Sequence, residues 1–130
     1  ATLPAATNDG WSAFTDISGV YRHCYESGGC GLEINETPNG DLLLINCDDG
    51  STSEFDCRLH ITDDVSQRSR YTYSSTATSE EADFTRVITL EETVNNQEVL
   101  VTSRVSWRTG NQINEQSTVA TTYLYNVYGR

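Results

Sequence analysis

Side chains that could do chemistry are few in this chain, and their spacing sets up no reaction. Its histidines are His23 and His60. A serine-type hydrolase needs a nucleophile, a base and an orienting acid together, and no Gly-x-Ser-x-Gly elbow is present. His60 alternates with Arg58 and Asp56 on the polar side of its segment and reads as a solvated histidine. His23 lies between Tyr21 and Tyr25 at strand spacing and reads as a partly buried, satisfied one. With 19 acidic residues, glycosidase-like carboxylate pairs can be drawn anywhere, so none is informative. Asp48-Asp49-Gly50-Ser51 with Glu54 offers oxygen atoms without the ordered spacing of an EF-hand, and turn chemistry alone accounts for it. The expectation is a protein that is not an enzyme and carries no cofactor and no metal.

The cysteines are more telling. Cys24, Cys30, Cys47 and Cys57 are all close in sequence, and none forms the Cys-x-x-Cys pair usual for zinc. They read as two disulfides of an oxidising compartment. Short loops close at lower entropic cost than long ones, which favours Cys24–Cys30 with Cys47–Cys57. The second pair requires a turn wider than two residues.

The remaining candidates are aromatic. Tyr21, Tyr25, Tyr71, Tyr73, Trp107, Tyr123 and Tyr125 recur on presumed strands and could give a ligand flat apolar walls with polar tips. Filling a small barrel is their other use.

Those residues must be positioned by strands. Residues 17–25 alternate with period two, as do 53–62, 98–107 and 113–128. Asn39-Gly40 fits a two-residue type I′ turn, setting Leu32 opposite Cys47. The run Leu42-Leu43-Leu44-Ile45 is apolar on both faces and reads as a central strand. Residues 70–78 and 84–93 supply two further strands, with Glu80-Glu81-Ala82-Asp83 as a polar bend between them. Asn95-Asn96 makes a tight turn, since asparagine accepts the left-handed region, and residues 109–112 make another. No segment is a convincing helix. The sum is an all-β fold, an eight-stranded antiparallel meander, closed or nearly closed as an up-and-down barrel. A β-sandwich is the alternative. Residues 1–13 read as an N-terminal arm that Trp11 ties down, and residues 14–130 as one β-barrel domain.

Phe14-Thr15-Asp16-Ile17-Ser18-Gly19-Val20-Tyr21-Arg22 resembles the opening of a calycin barrel, the group of lipocalins and fatty-acid-binding proteins. Lipocalins carry Gly-x-Trp there, and Tyr21 stands in the tryptophan's place. The resemblance implies a first barrel strand at Gly19-Val20-Tyr21 and an interior able to hold a small molecule.

Charge narrows the partners. The formal net charge is -11, and every basic residue is an arginine or a histidine. Such a surface repels nucleic acid, and no apolar run is long enough to span a membrane. The opening residues, with no charged and apolar leader, suit a secreted, periplasmic or cell-surface protein whose signal peptide has been removed. Asn35-Glu36-Thr37 is a glycosylation sequon. The functional expectation is non-catalytic binding of a small aromatic or polar ligand in a barrel mouth. Its alternative is a protein-interaction module, an inhibitor or adhesion subunit, whose acidic surface meets a basic partner.

Overall fold

The computed structural model describes residues 10–34, 42–47, 57–61, 71–73, 80–108 and 114–127. The sequon, the Asn39-Gly40 turn, the Asp48–Glu54 loop and the turn at residues 109–112 lie outside them. The described chain is all-β and antiparallel, and its seven strands curl into an open half-barrel. In order they are β1 (Cys30–Ile34), β2 (Leu42–Asn46), β3 (Arg58–Ile61), β4 (Tyr71–Thr72), β5 (Glu80–Val94), β6 (Glu98–Trp107) and β7 (Gln116–Tyr125).

The long strand β5 organises the sheet. One of its edges carries β6 and then β7; the other is shared by β1, at Cys30 opposite Ile88, and by β3. The sheet is therefore not a simple meander. Glu80 and Glu81, expected in a bend, are strand residues paired with Ile61 and His60. Backbone pairing to β3 overrides their weak strand propensity.

The largest departure precedes β1. Residues 17–25 were expected as the first strand but form a turn and a 3-10 helix at Arg22–Tyr25, so Gly19-Val20-Tyr21 lies on no strand. The Asp16 carboxylate accepts from Ser18 N at 2.9 Å and its carbonyl from Gly19 N at 3.0 Å, which bends the chain away from extension. Just upstream, helix α1 (Gly10–Thr15) crosses the expected boundary between arm and domain. Trp11 and Phe14 from that helix pack against a core of Tyr21, Cys24, Cys30, Leu90 and Val99. The Phe14 ring meets Tyr21 edge-on at 5.2 Å.

A second core gathers Cys57, Leu59 and Tyr73, with Ile45, Cys47, Phe84 and Val87 against it. This explains the doubly apolar run in β2. Leu44 serves the first core and Ile45 the second, although β2 is an outer strand rather than a central one. The β1–β2 register also differs from the two-residue-turn expectation, since Leu32 faces Leu44 instead of Cys47. In this register Leu32 and Leu44 both pack against the first core.

Both disulfides form as the loop argument favours. Cys24 joins Cys30, and Cys47 joins Cys57. Arg86 ties the cores together. Its guanidinium lies 5.0 Å over the Tyr73 ring, its Nε donates to the Tyr73 hydroxyl at 2.9 Å, and its Nη2 donates to the Leu32 carbonyl at 3.2 Å.

Candidate functional site

The aromatic residues separate into three groups. Tyr21 and Tyr25 belong to the first core, where the Tyr25 hydroxyl donates to the Phe14 carbonyl at 2.9 Å. Tyr71, Tyr73 and Trp107 surround Phe84, with Tyr71 edge-on to its ring at 5.9 Å and Trp107 at 6.2 Å. Tyr123 and Tyr125 stand alone on β7, 47% and 60% exposed, with near-parallel rings 6.4 Å apart. Tyr21 and Tyr73, each 7% exposed, are packing residues in this arrangement. His23 is half-buried and paired with Glu26 at 3.1 Å.

Burial raises the Tyr21 hydroxyl above its ordinary range. Tyr25 is pushed up to about 12, by burial first and then by the nearby Glu92 carboxylate and Tyr21. The sign of the consequence follows. An unfolded chain releases this proton near 10.0 while the folded chain holds it to about 12. The stabilisation is therefore complete below pH 10 and is lost as pH rises toward 12. Tyr25→Phe is expected to unfold at a higher alkaline pH than the parent, followed by circular dichroism. At neutral pH it should be about 1 kcal/mol less stable, for want of the bond to Phe14. An unchanged alkaline midpoint would contradict this.

Tyr125 leads to an open cleft formed by described residues. Residue pairing fixes the faces. Tyr125 lies opposite Glu98 and Tyr123 opposite Leu100, whereas Leu124 lies opposite buried Val99 on the other face. Beside Tyr125 the β5–β6 turn and the end of β7 enclose about 520 Å³, lined by Val94, residues 95–98, Tyr125 and Asn126. That volume is within the ordinary range for small-ligand sites.

The cleft wall is stitched in place. The turn closes through Gln97 N to the Val94 carbonyl at 3.0 Å, with Asn96 at φ 61° as its chemistry requires. Glu92 Oε2 accepts from Asn96 N at 3.2 Å, and Glu98 Oε2 accepts from the Thr93 hydroxyl at 2.7 Å. Asn126 fastens β7 to the turn, donating from N to the Gln97 carbonyl at 2.9 Å and from Nδ2 to the Asn96 carbonyl at 3.0 Å. What results is a turn with its backbone held in place, carrying the side-chain amides of Asn95, Asn96 and Gln97 beside the exposed Tyr125 ring, on which Tyr123 stacks. Such groups can donate to and accept from a neutral ligand while its flat part lies on a ring.

Of the residues lining this cleft the sequence singles out Tyr125 as a ligand candidate, and not Asn95, Asn96, Gln97, Glu98 or Asn126. The asparagines read as turn formers only. The available signal was their pairing: a hairpin at residues 95–96 ends beside Tyr125 once β7 is aligned with β6.

No protein-family model, curated protein or solved structure matches the chain.

Proposed function

We propose that this is a non-catalytic binding protein of an oxidising, extracellular-type compartment, holding a small neutral polar ligand in the hairpin-end cleft. The observation that carries the reading is the cleft itself. Residues with amide side chains line an open space of about 520 Å³ beside the exposed Tyr125 ring. The two disulfides suit the compartment, and no helix among the described residues is long and apolar enough to cross a membrane. The sheet curls into an open half-barrel, but Gly19-Val20-Tyr21, which carries the calycin resemblance, is not a strand, so the reading rests on the hairpin-end cleft and not on a barrel mouth.

Thermal-shift screening of a polar metabolite library tests this. A ligand at about a hundred times its Kd adds about 2.7 kcal/mol, enough to raise the melting temperature visibly. Hits should stabilise the parent and lose their effect on Tyr125→Ala. Hits acting equally on both would place binding elsewhere.

A second reading has its own observation. Among the described strands β7 pairs only with β6; it is exposed at every residue from 116 to 125 and belongs to the longest run without Asp, Glu, Arg or Lys, residues 116–129. An edge of this kind is open to strand addition by a protein partner. It is neutral, so a basic partner seeking carboxylates would not be drawn to it. Thr118→Lys, on the opposite face of that edge from Tyr123 and Tyr125, should abolish any strand-added assembly in sedimentation runs while leaving the ligand response intact.

A further inference from the structure

Resting on the cleft reading, we infer that the ligand is a neutral saccharide, one pyranose ring lying against the exposed Tyr125 ring with its hydroxyls held by the side-chain amides of Asn95, Asn96 and Gln97. Charge removes the first competitors. Glu98 lines the cleft and Glu92 is bonded to its turn, in a chain of net charge -11 with no lysine. Phosphorylated and carboxylated ligands would be repelled by that field.

Ring geometry removes the next. Recognition of a quaternary ammonium uses aromatic rings set around the cation as a cage. Here the two rings are within 24° of parallel and follow one another along a strand at 6.4 Å. Two near-parallel rings stacked along one strand supply none of the further walls that a cage needs. A free aromatic ligand would gain most from an apolar slot that excludes water, yet Tyr123 and Tyr125 are both about half exposed or more.

A saccharide fits what is left. Its axial C–H groups form an apolar face for a phenol ring, and every hydroxyl is both donor and acceptor. Asn95, Asn96 and Gln97 each carry a carbonyl oxygen and an NH₂ group, which together match a vicinal diol. Glu98, whose Oε2 already takes the Thr93 hydroxyl, adds a carboxylate acceptor for one hydroxyl more. The same face continues from Tyr123 to Thr121, opposite Thr102, which in turn faces Thr89. This hydroxyl row gives a longer oligosaccharide somewhere to run.

The test is an amide-resolved NMR titration of the isotope-labelled full chain with cellotriose, mannotriose and N,N′,N″-triacetylchitotriose. Phenol and tetramethylammonium chloride are titrated in parallel. At least one trisaccharide should give saturable shifts at residues 95–98 and 123–126. Its affinity should fall about tenfold in Tyr125→Ala and much less in Tyr125→Phe, which keeps the ring. Tyr125 is on the surface, so both variants should fold, and their unperturbed spectra verify this. Shifts at these residues from phenol or tetramethylammonium alone would overturn the saccharide assignment and leave the cleft as a binding site. No shift there from any of the five probes would overturn both.

Discussion

Gly29→Ala is expected to cost the domain about 3 kcal/mol or more, combining backbone strain with a core clash. Gly29 sits at φ +73°, where an L side chain is strained whatever the space around it. A Cβ there would also lie 2.4 Å from Val87 Cγ1 and 2.9 Å from the Ile88 carbonyl oxygen. The side chain could turn away, but the carbonyl belongs to β5, where Ile88 pairs with Ser103 and with Cys30. The carbonyl of Gly29 also accepts from Cys47 N at 3.2 Å, so a shift of this residue reaches the second disulfide. Urea unfolding followed by circular dichroism reads the loss as a lower midpoint at unchanged slope. A midpoint matching the parent would mean that the Gly28–Cys30 segment does not approach β5 as described.

Removing the Cys24–Cys30 bond should be comparably severe. Closing a loop of this length is worth about 2–3 kcal/mol in the chain-entropy account. Both cysteines are 0% exposed and packed among Tyr21, Leu90 and Val99, so Cys24→Ala/Cys30→Ala adds a cavity term. At Cys47 and Cys57 the longer loop is worth about 0.4 kcal/mol more in the same account, but Cys47 is only half-buried and leaves a smaller cavity, so the total cost should be lower. Without the first bond, the 3-10 helix and helix α1 lose their covalent anchor to β1. Paired urea titrations of the two double variants check the order. Equal midpoints, or a weaker 47/57 variant, would contradict it.

The strands that bury one face continuously were legible from sequence. In β6, Val99, Val101, Val105 and Trp107 do share a face, and Asn96 does take the left-handed turn. Loop entropy found the disulfide pairing because the competing pairings close longer loops. Residues 17–25 misled because alternation there is real but unused. The residues that pack inward are Tyr21, Cys24 and Tyr25, spaced three and four apart as a helical turn requires. Local Asp16 hydrogen bonds decide between the two patterns, and hydrophobic periodicity cannot see them. The β1–β2 register failed for a related reason: Asn39-Gly40 is a strong turn signal, but strand pairing chose the register that puts Leu32 beside Leu44. The cleft was half legible. Its rings stood out by type, while its amides became a site only when the β6–β7 pairing brought residues 95–98 beside Tyr125.

The most direct measurement is a crystallographic soak of the intact chain with a library of small polar fragments. Density should gather in the hairpin-end cleft, against the Tyr125 ring and within hydrogen-bond reach of the Asn95, Asn96 or Gln97 amides. Fragments clustering on the concave side of the sheet or elsewhere, with that cleft empty throughout the library, would contradict the account.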